Sequence, residues 1–401
     1  MKVTLQDIES AYAKIKNEIQ RTPVQISTSA SKIIGSEIFF KMENEQTTGS
    51  FKLRGAMNKV ISLSAEERKR GIVASSAGNH AQGIAYAARK FGVEANVVMP
   101  VQSSILKQAA TRNYGANVIL HGDIYDEAYK YARVLEKEKN YIFCPPFEDE
   151  KIIAGQGTIG LEILEDIKDL DSIIVPIGGG GLISGIATVI KTLKPSCKVY
   201  GVVAENAPSM FNLFKQQPTP QNLSYTSIAD GISVKAPSPV IYENFISKYV
   251  DDIVSIAEDD IAEAIVFLIE RAKAVVEGSG AISLAAAFKG NLKLGKRSCI
   301  LLSGGNIDLN LVAQIVDRGL SQSGRVARLT LVVPDKPGQL NKITQIVAQQ
   351  GANILEVEHD RLDSDLHIRE TAIRLSLETK SREHIEEIKS ALISCGFSFK
   401  K

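Results

Sequence analysis

Between about residue 70 and residue 320 the chain repeats one pattern, a short apolar strand followed by a glycine or serine turn and an amphipathic helix. That rhythm implies an α/β fold with parallel strands. GIVAS (71–75) leads into a helix through Gly83 to Lys90, and ANVVMP (95–100) into a helix through Leu106 and then ANVILHG (116–122). SIIVPI (172–177) passes through four glycines into a helix whose apolar face is Ile183, Ile186, Ala187 and Ile190, closed by Pro195. The stretch from Asp259 to Ala287 is helix-rich, and RSCILLS (297–303) supplies a further strand. In open α/β sheets ligands bind at the carboxyl ends of strands, where helix N-termini present unpaired backbone N–H groups. The glycine and serine turns are therefore the places to look for chemistry.

The rest of the chain narrows the choice of ligand. Its 401 residues suffice for two or three domains. Forty-seven basic side chains balance forty-six acidic ones without a long run of either sign, so no footprint for nucleic acid or an acidic membrane surface is present. Cys144, Cys197, Cys299 and Cys395 are scattered and suggest neither a disulfide framework nor a zinc site. A reducing, cytoplasmic location is expected, since the N-terminal segment lacks the apolar stretch of a signal peptide. Small, near-neutral ligands fit this composition best.

Four clusters carry the chemical signal. The first is Glu43, Asn44 and Gln46 followed by Thr48 and then GSFKLRGA (49–56), with Lys52 inside it. A lone lysine is most often a solvated surface residue, and its company is what raises its interest. The second, SSAGNHAQG (75–83), follows a strand and opens a helix, so its small residues can wrap backbone donors around an anion such as a carboxylate. The bland alternative is an ordinary turn with Ser76 or Asn79 as N-cap. The third is Gly178, Gly179, Gly180, Gly181 and Leu182, where the backbone can approach a phosphate closely and the helix dipole adds attraction. The fourth is Ser303-Gly304-Gly305-Asn306 at another strand end; Ser303 could equally cap the helix that follows. One lysine, two anion nests and a strand-end serine together suggest a phosphorylated cofactor held as a Schiff base.

The ordered set GSFKLRGA, SSAGNHAQG, GGGGL and LSGGN resembles the fold type II pyridoxal-phosphate enzymes, specifically their threonine and serine dehydratase branch, over about residues 1 to 325. The resemblance implies parallel sheets in two subdomains across residues 1–320, the smaller being about 53–150, inserted in the larger. It implies that Lys52 is the catalytic residue and binds pyridoxal 5'-phosphate, with Phe51 packed beside its ring. Asn79 would bond the ring hydroxyl, Gly178 to Gly181 and Leu182 would hold the phosphate, and Ser303 would face the pyridine nitrogen. Ser76, Ala77, Gly78, Asn79 and His80 would surround the substrate carboxylate. The activity implied is dehydration and deamination of L-threonine to 2-oxobutanoate and ammonia, and of L-serine to pyruvate. The alternatives are a serine-preferring dehydratase and an inactive amino-acid-binding regulatory protein.

Departures within the branch refine this. Related serine racemases have a second serine where this chain has Ala77, so racemisation should be weak. Positions that hold a divalent ion in some relatives match Val203 and Ser209 here, with Glu205 out of step, so no metal is expected. Cysteine synthases usually have threonine where this chain has His80. Glu277, in VEGSGA, is open to two readings, near the cofactor ring or a monovalent cation, or on the surface at a helix end.

Past a linker expected at Ser321 to Arg325, residues 326–401 read as βαββαβ, a ferredoxin-like module. Its strands are RLTLVV (328–333), NILEVEH (353–359), HIRETAIRLSLE (367–378) and FSFK (397–400), with helices opened by Pro337 and at Arg382. The module resembles an ACT domain, which implies an amino-acid effector near Pro337, Gly338, Gln339, Leu340, Asn353 and Ile354, and a homodimer or homotetramer. Isoleucine, valine and serine are candidate effectors.

Overall fold

The computed structural model describes residues 1–401 apart from 221, 222, 224, 290, 291, 363–365 and 401. Two compact units emerge, Met1–Ile307 and Asp308–Lys401.

The first unit is built on two sheets. The larger has six strands in the order Val24–Ile26, Glu37–Lys41, Arg297–Leu301, Ser172–Pro176, Lys198–Ala204 and Asp252–Ile256. All neighbours are parallel except the first pair, where Val24–Ile26 runs antiparallel to Glu37–Lys41. Ser172–Pro176 is buried at every position, as a strand covered on both faces must be. The smaller sheet, in the order Asn117–Leu120, Ala95–Met99, Ile72–Ser75 and Ile142–Phe143, is wholly parallel. Fold type II architecture with two parallel-sheet subdomains is therefore present.

One helix, Lys52–Ile61, ties these layers to the site. It lies against helix Glu150–Asp166 at very short range: a Cβ on Gly155 would come 2.6 Å from the Gly55 Cα. The contact is locked by a buried ionic cluster. Arg54, with a side chain 0 % exposed, donates to Glu43 and to Glu162 at 2.8 Å each. The Lys41 amine, also 0 % exposed, donates to Glu162 at 2.6 Å and to the Thr22 carbonyl at 2.7 Å. The Thr22 hydroxyl closes the ring by donating to Glu43. Burial works against the Arg54 charge, yet Glu43 and Glu162 more than offset it and its pKa rises. The Glu162 carboxylate, opposed by burial, is held below its ordinary pKa by Arg54 and Lys41.

In the second unit an antiparallel sheet is ordered Asn353–Asp360, Glu370–Glu378, Val326–Pro334 and Ser398–Phe399, the ferredoxin-like arrangement. Alternation along Val326–Pro334 buries Ala327, Leu329, Leu331 and Val333 against Ile343 and Val347 of helix Gln339–Gln349 and Ile388 and Leu392 of helix Arg382–Ser394. Three local expectations need correction. Residues 321–322 are not linker but the end of helix Leu309–Gln322, and the division between the units falls at 307/308. The helix expected to open at Pro337 opens at Gln339, with Gly338 in the left-handed region at φ 89° as its N-cap. The strand expected from His367 starts at Glu370, where backbone pairing with Pro334 begins.

Candidate active site

A cleft of about 900 Å³ lies between the two sheets of the first unit, and all four motif clusters contribute to its lining. Lys52, the first residue of its helix, projects its amine into the cleft and donates to the Pro146 carbonyl at 2.9 Å. The amine is 5.2 Å from the centre of the Phe51 ring. Loss of hydration pulls its pKa down to about 8, with Glu277 acting in the other direction.

Two helix N-termini face the same space. Helix Asn79–Lys90 has Gly78 as N-cap and no side-chain cap, so neither Ser76 nor Asn79 takes that role. Its first internal bond is from the Gln82 amide to the Gly78 carbonyl, which leaves the amides of Asn79, His80 and Ala81 outside the helical ladder. Ser76 accepts from the Gly78 amide at 3.2 Å and shapes the turn. Helix Gly181–Leu193 likewise has no side-chain cap, and its first bond, Ser184 to Gly180, leaves the amides of Gly181, Leu182 and Ile183 over. Gly180 has φ 91°, which only glycine adopts readily, and a Cβ on Gly179 would fall 2.3 Å from the Phe147 ring behind the loop. Phe147, itself part of the cleft wall, leaves no room for side chains at Gly179 and Gly181.

Ser303 is 2 % exposed and donates to the Ser279 carbonyl at 3.1 Å. It does not cap the following helix, whose N-cap is Asp308. His80 is buried, its Nε2 is 2.9 Å from the Cys144 carbonyl, and burial lowers its pKa to about 3, so it is neutral. Ala77 and Gly78 line the cleft beside Asn79.

Glu277 is the residue whose reading was open, and it is no surface group. It is 5 % exposed, lines the cleft and accepts from Asn79 Nδ2 at 2.6 Å. Burial, with Asp230 nearby, pushes its pKa up to about 7 against the opposing influence of Asn79, Lys107 and Lys52. Several other cleft residues had no sequence signal. Pro146 and Phe147 come from a loop, and Asp230 to Ala236 belong to an irregular stretch after helix Ser209–Phe214. Lys107 and Asp230 pair at 2.6 Å at the mouth. Their roles depend on contacts 94 and 123 residues apart, which no local pattern reveals.

The site fits pyridoxal 5'-phosphate on its own chemistry. A poorly hydrated amine is available to hold an aldehyde, and an uncapped glycine loop at a helix N-terminus is available for a phosphate. Buried polar atoms lining the cleft, Ser75 Oγ, His80 Nδ1, Ser103 Oγ and Ser279 Oγ, have no partner in the protein. Among the described residues no group of three or more His, Cys, Asp or Glu is placed to hold a metal ion, and no helix is long and apolar enough to cross a membrane.

Fold and site together define a cofactor enzyme, and residues 15–304 match the family model described as pyridoxal-phosphate dependent enzyme. The chain belongs to that family. It is 47 % identical to an L-threonine ammonia-lyase of Thermotoga maritima over 98 % of both chains. It is 41 % identical to an L-threonine ammonia-lyase of Geobacter sulfurreducens over 97 % of both. Among solved structures it is similar to a bacterial threonine deaminase, at 37 % identity and a TM-score of 0.72, covering 76 % of this chain and 99 % of that one. It is also similar to maize serine racemase, at 32 % identity and a TM-score of 0.73, covering 80 % and 99 %.

Proposed function

We propose that the protein is an L-threonine ammonia-lyase, converting threonine to 2-oxobutanoate and ammonia and serine, less readily, to pyruvate. The observation that carries this is the Lys52 amine, held at a pKa of about 8 where two uncapped helix N-termini converge. The names of the relatives that match the whole length of the chain support the choice of substrate.

Pyridoxal 5'-phosphate, when bound, supplies the electron sink that makes the substrate Cα–H bond acidic. The protein does the rest. Lys52 would hold the cofactor through its amine, and the same amine, when free, is the group placed to take the Cα proton. Burial, by lowering its pKa, makes the neutral form of this amine more accessible than that of an ordinary lysine. The glycine loop from Gly178 to Leu182 would hold the phosphate, Phe51 would lie beside the ring and Asn79 would bond the ring hydroxyl. Ser303, whose hydroxyl donates to the Ser279 carbonyl, would face the ring nitrogen as a neutral group, which cannot stabilise a full positive charge there as an aspartate would. That favours loss of the β-hydroxyl over reactions that need a long-lived carbanion. The segment from Ser76 to His80, with its free helix N-terminal amides, would surround the substrate carboxylate. Ala77 supplies no proton to the opposite face of Cα, which disfavours racemisation.

The second unit is read as an ACT regulatory domain within 326–401, binding an amino-acid effector near Pro337, Gly338, Gln339, Leu340, Asn353 and Ile354. The Gly338 turn is open, with nothing within 4 Å of where a Cβ would stand. Coupling requires that the effector prefer one arrangement of catalytic subunits, hence a dimer or tetramer.

The test compares kcat/KM for threonine and serine on the full chain, with isoleucine, valine and serine added as effectors. A preference for threonine supports the reading. A clear preference for serine replaces it with a serine dehydratase, since one methyl is worth only ~1–3 kcal/mol in a pocket wall. Protein that takes up pyridoxal 5'-phosphate but turns over neither amino acid would be an amino-acid-binding regulator.

A further inference from the structure

The side chain of Asn79 belongs to a hydrogen-bonded chain whose polarity is set from one end. The Thr48 carbonyl can only accept, and it receives a bond from Asn306 Nδ2 at 2.9 Å. That contact decides which way the Asn306 amide faces. The second N–H of the same nitrogen donates to Asn79 Oδ1 at 2.7 Å. Asn79 must then turn its own Nδ2 the other way, where Glu277 Oε1, an acceptor, takes one N–H at 2.6 Å. An amide nitrogen carries two hydrogens, so one N–H of Asn79 is left for the cleft that Asn79 and Glu277 both line.

The backbone is cut to fit this chain. A Cβ on Gly49 would fall 2.4 Å from Asn306 Oδ1, and one on Gly304 would fall 2.5 Å from Glu277 Oε1. These are glycines of the GSFK and SGGN turns, so part of what the two motifs encode is room for Asn306 and Glu277. Gly305 donates to the Gly49 carbonyl at 2.8 Å and holds the two turns together.

We propose that Asn306 and Glu277 are positioning residues that lock the Asn79 amide in the one orientation presenting an N–H donor to the ring oxygen of pyridoxal 5'-phosphate. Asn306 supplies the direction through Thr48, and Glu277 supplies the acceptor that makes the opposite orientation unfavourable. The inference rests on the reading of Asn79 as a cofactor contact.

The test is a double-mutant cycle on cofactor-free protein titrated with pyridoxal 5'-phosphate, reading the dissociation constant and the position of the visible absorption band. Asn79→Ala and Asn306→Ser are each expected to weaken binding about tenfold and to move the band in the same direction. The serine is too short to bridge from Thr48 to Asn79, and a thermal melt of each cofactor-free variant establishes that it is folded. In the combined variant the expected loss is no greater than for Asn79→Ala alone, because Asn306 acts only through Asn79. Glu277→Gln, which still offers an acceptor oxygen, should retain affinity within about threefold, whereas Glu277→Ala should not. Multiplicative losses in the combined variant would show that Asn306 acts independently and would overturn the proposal. If Asn79→Ala changes neither affinity nor band position, the reading of Asn79 itself fails, and this inference falls with it.

Discussion

Lys52 and Arg54 are two residues apart on one helix, about 200° around its axis, and both carry a cationic group out of bulk water. Their fates are opposite. Arg54 meets two carboxylates at 2.8 Å, and its pKa rises. Lys52 meets a neutral carbonyl at 2.9 Å, and its pKa falls to about 8. Burial is common to both, so the difference comes from partners: full pairing keeps a buried charge in place, and its absence makes the charge dispensable. The same contrast extends to the neighbours. The groups around Arg54 are paired with one another, whereas Ser75 Oγ, His80 Nδ1 and Ser279 Oγ on the Lys52 side are not. One side of the helix is finished as a structure, and the other is left open for a ligand.

The largest effect that would test this contrast is expected from Lys52→Ala. It should lower kcat by on the order of 10³-fold or more while leaving the melting temperature of cofactor-free protein unchanged or slightly higher. A large loss of stability would mean that Lys52 is also a structural cation. Arg54→Met should do the reverse, destabilising the protein by about 3–5 kcal/mol in urea unfolding because Glu43 loses its cationic partner and Glu162 is left with Lys41 alone.

Glu277 gives a smaller, pH-dependent effect. Its folded pKa of about 7 lies above its ordinary 4.5. Its contribution to stability is therefore fully present below about 4.5 and is lost as the pH rises through about 7. Lys52, Lys107 and Asp230 are the charged groups that act on it. The stability difference between wild type and Glu277→Gln, measured without cofactor, should change by on the order of 1–3 kcal/mol across that window. A flat difference would show that the carboxyl is not buried in solution. The smallest effect is expected at the cleft mouth, where the Lys107–Asp230 pair is partly exposed. Lys107→Ala should cost roughly 0–1 kcal/mol and, in contrast to Arg54→Met, should lose what effect it has at high salt.

Much of the site was legible because its parts are contiguous. Lys52 with Phe51, Asn79 with Ser76 to His80, and Gly178 to Leu182 each occupy one turn at one strand or helix end, where residue type and local geometry are tightly linked. Glu277 stayed ambiguous because a glutamate before a helix is equally at home on a surface, and only the packing of Gly304 and Asn79 against it removes the choice. Asn306 was visible as a letter in a motif but not as a hydrogen-bond partner of Thr48 and Asn79, 258 and 227 residues away. In sequence Ser321, Ser323 and Gly324 look like a break, whereas helix Leu309–Gln322 still includes residues 321 and 322.

The amino-acid sequence alone determined the α/β rhythm, the βαββαβ order of the second unit, the family and the motif residues that line the cleft, because each follows from periodicity or from one unbroken turn. Only the tertiary structure decided the protonation of those residues and their orientation. A pKa depends on hydration and on charges brought in from distant segments, and an amide's direction depends on the donor at the far end of its chain. Neither quantity has a local signature, so Lys52 could be named from its motif, but its pKa near 8 came only from the cleft around it.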